Sequence, residues 1–382
     1  MLFSFVGGRG HFEPLAPIAH AALARSHDVA FGCAPSMAPI VEAAGFTTLA
    51  MGMESPGPGK RIPLRPVDRE RENRDLRERF VRHAARHRVP LAIALIAEWQ
   101  PDVLVCDETD FGAILAAEST ELPFATVVVI AAGSFLRKEV IGRALSELRS
   151  QLGLPEDPEL EMLSRYLVLS PVPPSYRDPA FPLPATGHSF RPPRLGTGGE
   201  PPLPGDRPTV YFTLGTVFNT ESGDLIGRVL SGMGKLPINL IATVGDTIDP
   251  NEYGRQPRNV RIERYIPQSS VFPLCDLAIS HGGSGSVIGA LAHGLPLVLI
   301  PLGADQPLNG DRCTDLGVAR VLDAMELTPE SVRTAVSTLL EDPAYRRNAE
   351  RLRDEFAALP EPPSAVALLE RLAAEKQSIR RT

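Results

Sequence analysis

The segment Ser280-His281-Gly282-Gly283-Ser284-Gly285-Ser286 lies between a short apolar run, Leu277 to Ser280, and an apolar stretch with helical periodicity. A glycine- and serine-rich loop opening a helix offers backbone N–H groups and the positive end of the helix dipole, which suits a phosphate or diphosphate. No Gly-Lys-Ser/Thr follows, so it is not a Walker loop. Thr213-Leu214-Gly215-Thr216 also follows an apolar run and adds hydroxyls suited to the same anion. Asp305 and Gln306, after Leu297 to Ile300, supply acceptors and a donor of the kind that hold sugar hydroxyls; the structural alternative there is a helix cap. Tyr265-Ile266-Pro267-Gln268 puts an aromatic ring and amides after another run, suitable for stacking on a base.

Near the start, Gly7-Gly8-Arg9-Gly10-His11 follows the run Leu2 to Val6. A dinucleotide fingerprint beginning at Gly8 would need glycine where Glu13 stands, so that reading fails. What remains is a histidine on a sharp loop, able to take a proton from a hydroxyl near neutral pH. Asp107, just after Val103 to Cys106, is placed to hold the other imidazole nitrogen; its structural alternative is a helix cap, for which Asp110 is better positioned.

These residues all sit after short, β-branched apolar runs of the kind expected in parallel strands buried on both faces. Further strand candidates are Val29 to Gly32, Phe46 to Ala50, Ala125 to Ile130, Val210 to Leu214, Asn239 to Val244 and Val260 to Tyr265. Helical periodicity separates them at Leu15 to Ala24, Met37 to Ala44, Leu76 to Glu98, Ile114 to Ser119, Asp224 to Gly234, Gly285 to His293, Pro329 to Leu340 and Pro363 to Lys376. Alternation of this kind predicts open α/β sheets, whose ligands bind beyond the carboxyl ends of the strands. Proline and glycine interrupt the pattern between Pro171 and Pro208. The expected organisation is therefore an N-terminal domain at 1–185, a linker at 186–208 and a C-terminal domain at 209–382, with a cleft between the domains and a last helix that could cross back to the first.

Composition narrows the field. The 382 residues carry 39 Lys and Arg against 46 Asp and Glu, a net charge of −7, which argues against nucleic acid as the main partner. No apolar run approaches the roughly 18 residues of a membrane span. The first residues lack the basic start of a signal peptide, and four scattered cysteines suggest neither a disulfide framework nor a metal site. A cytoplasmic setting is the expectation. The Arg-rich stretch from Arg69 to Arg88 is interleaved with acids and reads as a solvated, ion-paired helix face.

Taken in order, Gly10-His11-x-x-Pro14, Asp107, Tyr265-x-Pro267-Gln268, His281-Gly282-Gly283-Ser284-Gly285-Ser286 and Asp305-Gln306-x-x-Asn309 resemble family 1 glycosyltransferases of the GT-B fold, the UDP-glycosyltransferase-like superfamily. Among them the chain is most similar to bacterial enzymes that decorate antibiotics and other secondary metabolites. The resemblance implies two Rossmann-like domains facing across a cleft, the first for a hydrophobic acceptor and the second for a nucleoside diphosphate sugar. It makes His11 the general base and Asp107 its partner. His281, Gly282, Gly283, Ser284, Gly285, Ser286 and Thr216 would bind the diphosphate, Tyr265, Ile266 and Gln268 the base, and Asp305 and Gln306 the sugar. Transfer would invert the anomeric carbon without a metal and without a cofactor beyond the sugar nucleotide.

Gly289 departs from UDP-sugar members that carry Glu there to grip both ribose hydroxyls, so thymidine diphosphate, often bearing a deoxysugar, is the expected donor carrier. Phe12, Phe111 and Phe135 are the expected acceptor-lining residues, with plain core as their alternative. A C-glycosyltransferase, a glycolipid glycosyltransferase, a sugar-nucleotide epimerase and a non-catalytic sugar-nucleotide-binding partner protein stay open, as does a homodimer. His11 separates the enzymes from the binder, which needs no base.

Overall fold

The computed structural model describes residues 1–52, 61–192, 206–215 and 218–381. They form two compact units, one from residues 1–52, 69–192 and 359–381, the other from 61–68, 206–215 and 218–358.

The first unit is built on seven parallel strands: β1 (Leu2–Ser4), β2 (Ala30–Cys33), β3 (Thr47–Ala50), β4 (Leu104–Asp107), β5 (Phe124–Val127), β6 (Leu167–Ser170) and β7 (Gly187–Ser189). Their order is β3-β2-β1-β4-β5-β6-β7. The helices of this unit are α1 (Arg9–Phe12), α2 (Ala16–Ala24), α3 (Ala38–Ala43), α4 (Arg69–Asp75), α5 (Arg86–Trp99), α6 (Phe111–Ser119) and α7 (Lys138–Gln151). Between α4 and α5 the chain stays helical but widens into a π-helix, Leu76–Ala85. Pro90 lies inside α5, where it removes one backbone donor and presses on the carbonyl a turn earlier.

The second unit has six parallel strands: β8 (Thr209–Thr213), β9 (Asn239–Thr243), β10 (Val260–Glu263), β11 (Leu277–Ser280), β12 (Leu297–Leu299) and β13 (Ala319–Val321), ordered β10-β9-β8-β11-β12-β13. Its helices are α8 (Leu225–Met233), α9 (Gln268–Val271), α10 (Ser284–Ala292), α11 (Gln306–Asp315), α12 (Pro329–Glu341) and α13 (Pro343–Ala358). The last helix, α14 (Pro362–Glu375), belongs to the first unit. It buries Ala365, Val366, Leu369 and Leu372 with Ile18, Ala19 and Ala22 of α2, and Glu370 accepts from Arg25 at 2.7 Å.

Both faces of the first sheet are covered. Phe3, Phe31 and Val105 point to the core beneath α2 and α14, whereas Leu2, Leu104 and Cys106 point to the core beneath α5, α6 and α7. Successive strand residues therefore serve opposite cores, which is why the strands read as unbroken apolar runs. In the second unit Val210, Phe212, Leu277 and Ile279 pack with Ile226, Val229, Val332 and Val336 of α8 and α12.

Three strands lie outside the apolar runs found in the sequence: β6, β7 and β13. β7 and β13 are edge strands, Gly-His-Ser and Ala-Arg-Val, with little to bury. β7 falls within the stretch expected to serve as a linker, and residues 193–205 of that stretch lie outside the described residues.

Candidate active site

In each sheet the chain reverses its direction of growth at one place: between β1 and β4 in the first unit, and between β8 and β11 in the second. Connections leave a doubly wound sheet on opposite sides at such a switch point, opening a crevice at the carboxyl ends of the two strands. His11 follows β1 and Asp107 ends β4; Gly215 and His281 follow β8 and β11.

The first switch point is built around Asp107. Its carboxylate is fully buried and accepts from the Val6 amide at 2.7 Å, the Thr109 amide at 2.6 Å and the Thr109 hydroxyl at 2.5 Å. His11 Nδ1 lies 3.3 Å from Asp107 Oδ2, and the imidazole is 24% exposed. Burial alone would raise the Asp107 pKa; the His11 charge and the hydrogen bonds from His11, Thr109 and Val6 outweigh it, and the net shift is downward. Gly7 makes room for the ring: it has φ +103°, and a Cβ there would sit 2.9 Å from His11 Cδ2. Phe80, carried by the π-helical segment, stacks at 6.4 Å between ring centroids and 26° between planes. The result is an imidazole held at one nitrogen by a carboxylate and flanked by an aromatic face.

Sequence reading missed the group beneath this pair. Arg88 ends the Arg-rich stretch but is 3% exposed, not on the solvated face expected for it. It donates to Asp110 at 2.9 and 2.5 Å, to Phe5 O at 3.0 Å and to Met51 O. Burial pulls its pKa down, but Asp110, Asp107 and Cys106 together carry it above the ordinary value. Asp110 also caps α6 through Ala113 N at 3.1 Å and accepts from Ser4 Oγ at 2.8 Å. One guanidinium thus ties together the chain leaving β1, the chain leaving β3 and the start of α6. The remaining arginines of the stretch match the expectation in part: Arg77 and Arg82 pair with Glu78, and Arg79 with Asp75.

The expected acceptor aromatics separate. Phe12 packs with Phe5, Phe31 and Phe46 in one core, and Phe111 lies in the other, so neither presents surface to an acceptor. Their positions near strand ends do not distinguish lining from core; the inward face of a short helix does. Phe135 is half-buried at the margin of both cores.

In the second unit, α10 begins at Ser284 with Gly283 as its N-cap, and no side chain caps it. The dipole and first-turn amides of a nine-residue helix thus open onto the loop. The His281 imidazole is wedged against this backbone. A Cβ on Gly283 would come within 2.5 Å of its Nε2, and one on Gly215, at φ +73°, within 2.6 Å of its Cε1. Burial pushes the His281 pKa down to about 4, so the ring is neutral at working pH; its Nδ1 is buried without a hydrogen-bond partner. Gln268 donates to Ser286 Oγ at 2.8 Å, joining the Tyr265–Gln268 segment to the loop. Tyr265 is 44% exposed, while Ile266 is buried. Ser284 Oγ donates to Asp305 Oδ2 at 2.6 Å. The Gln306 carbonyl is committed to Leu302 N at 2.7 Å and Gly303 N at 3.2 Å. Thr216 lies outside the described residues.

Comparison with known proteins gives this arrangement its family. Residues 227–372 match the model described as erythromycin biosynthesis protein CIII-like, C-terminal domain. The chain is 32% identical to the 10-deoxymethynolide desosaminyltransferase of Streptomyces venezuelae, over 72% of this chain and 69% of that one. The chain belongs to the EryCIII-like family 1 glycosyltransferases. Over its full length it is 27% identical to the 3-alpha-mycarosylerythronolide B desosaminyl transferase of Saccharopolyspora erythraea, all of which is covered.

The fold of this EryCIII-like glycosyltransferase is GT-B. It matches the glycosyltransferase SnogD from Streptomyces nogalater with TM-score 0.74 at 26% identity, covering 97% of this chain and 98% of that one. It matches the spinosyn rhamnosyltransferase SpnG, solved with thymidine diphosphate, with TM-score 0.80 at 21% identity, over 97% and 99%. Among the described residues no helix is long and apolar enough to cross a membrane.

Proposed function

We propose that this glycosyltransferase moves a deoxysugar from a thymidine diphosphate donor to a hydroxyl of a hydrophobic natural-product aglycone, inverting the anomeric centre. The observation that supports it most is the contact of His11 Nδ1 with Asp107 Oδ2 at the first switch point. With its Nδ1–H given to Asp107, the imidazole presents Nε2 as a base. The acceptor O–H transfers its proton there as the oxygen attacks the anomeric carbon from the face opposite the diphosphate. The bond from the anomeric carbon to the diphosphate oxygen breaks with its electron pair on that oxygen, and Asp107 stabilises the imidazolium so formed. Phe80 and the half-buried Phe135 supply apolar surface for the aglycone.

The leaving charge is met by the amides of Gly283, Ser284, Gly285 and Ser286, the dipole of α10 and the serine hydroxyls, with neutral His281 as a hydrogen-bonding group; such preorganised donors contribute on the order of several kcal/mol and call for no metal. Tyr265, Ile266 and Gln268 take the base, Asp305 and Gln306 the sugar, and Thr216 assists the diphosphate. The Gln306 side-chain carbonyl already accepts from Leu302 N and Gly303 N, so a contact of this residue with the sugar would fall to its amide nitrogen.

The choice of thymidine diphosphate rests on position 289. Gly289 offers no carboxylate to a ribose, and a Cβ there would lie 2.7 Å from Phe272 Cε2, so a buried ring fills the space a side chain would need. The thymidine diphosphate complex of SpnG supports the same choice, and two desosaminyl transferases among the relatives support a deoxysugar as the group transferred. Turnover of matched thymidine and uridine diphosphate sugars, with NMR of the product's anomeric configuration, tests the proposal. A kcat/KM at least tenfold higher for thymidine donors and an inverted product are expected; a uridine preference or a retained configuration contradicts it.

A further inference from the structure

Asn309 has no role in the proposed reaction, yet its side chain meets three acceptors behind the phosphate-binding loop. It sits in the first turn of α11 with no exposed surface. Its Nδ2 lies 3.0 Å from Gly282 O, 3.1 Å from Ser284 Oγ and 2.8 Å from Asp305 Oδ2. Two amide hydrogens are shared among three acceptors. Since Ser284 Oγ in turn donates to Asp305, the three side chains close a ring around the carbonyl of Gly282.

Two features separate this ring from ordinary core packing. Asn309 Oδ1 is buried and has no hydrogen-bond partner, so the amide is retained at a cost to stability that an apolar residue would avoid. The other is the geometry of the bond it grips. A trans peptide points its C=O and its N–H in opposite directions. Holding the Gly282 carbonyl inward on Asn309 therefore turns the Gly283 N–H outward, at the mouth of α10. Gly282 has φ +87°, a conformation that does not fix this peptide plane by side-chain sterics.

We infer that Asn309 is a positioning residue for the donor diphosphate: by fixing Gly282 O, Ser284 and Asp305 together it aims the loop amides at the phosphates without touching them. The inference rests on the reading of this loop as the diphosphate cradle. Its signature is a loss confined to the phosphate-dependent part of donor affinity.

The test measures binding of thymidine diphosphate and of thymidine to the full chain and to Asn309→Ala, the nucleoside by ligand-detected NMR. Thymidine diphosphate is expected to bind at least tenfold more weakly to the variant, and thymidine within twofold of wild type, with the KM for donor rising more than kcat falls. Asn309→Ser, which returns one hydroxyl donor, is expected to recover part of the loss, and it is the variant to measure if Asn309→Ala does not fold. Equal weakening of both ligands, or thymidine diphosphate affinity within twofold of wild type, overturns the inference. A wild-type chain that binds thymidine but gains nothing from the diphosphate overturns the cradle itself and this inference with it.

Discussion

Asp107 and Glu108 are adjacent carboxylates driven in opposite directions by what faces them. Asp107 is held below its ordinary value, as described, by His11 and its ring of donors. Glu108 turns away, accepts from the amides of Val129 and Ile130 at 2.9 and 2.8 Å, and is pushed up to about 7, chiefly by burial, against the attraction of Arg177 and the two amides. A carboxyl whose folded pKa lies above its unfolded value keeps its proton in the native state while the unfolded chain has released it. Native stability therefore falls as pH rises from about 4.5 to about 7, and the penalty is complete above that. Glu108→Gln removes the titration. Its stability relative to wild type is expected to rise across that window, by at most about 3 kcal/mol at about 1.4 kcal/mol per pKa unit, and then level off. Melting curves of both proteins from pH 5 to 8 check it; a difference that does not change with pH contradicts the assignment. At this scale the sequence revealed which residues follow strands, hence His11, Asp107 and the loop from His281 to Ser286. It could not show that Asp107 would ionise readily while Glu108 keeps its proton, because that difference comes from the burial of Glu108 and from the His11 charge and hydrogen bonds at Asp107, which only the packed strands bring about.

Among the elements, the helical stretch from α4 through α5 does the most to shape the first switch point. Its exposed turns carry the ion pairs expected of alternating charge, while its buried side delivers Phe80 to His11 and Arg88 to Asp110. Charge alternation along a sequence reports the solvated face and hides the residue that turns inward. Asp110 was legible as a cap, and it is one; its second duty as counter-ion of Arg88 was not, since the pair is 22 residues apart. Removing one partner of such a buried pair leaves an uncompensated charge, so Arg88→Met is expected to destabilise the first unit by about 3–5 kcal/mol. Arg88→Met with Asp110→Asn should recover part of that loss. Denaturant unfolding of wild type, both single variants and the double variant checks the coupling; strictly additive losses would contradict it.

The whole molecule uses one strand order twice, and each unit brings a loop with chemistry to its own switch point. That much was readable from strand–helix alternation, because parallel strands buried on both faces announce themselves as apolar runs. The short edge strands β7 and β13 were not readable, having almost nothing to bury. Nor was the share of the last helix in the first core readable as more than an option, since α14 has an amphipathic pattern that suits either unit. The proposed reaction draws its base from the first unit and the stabilisation of its leaving group from the second. The roles are separable in principle, and the separation can be measured.

The decisive measurement is His11→Ala in the full chain, assayed for sugar transfer and for thymidine diphosphate binding under the same conditions. Loss of a general base lowers kcat/KM by about 10²–10⁴, and the diphosphate affinity, proposed to lie with the other unit, should stay within twofold of wild type. Transfer within tenfold of wild type, or nucleotide affinity that collapses along with it, would contradict the assignment of His11 as the base.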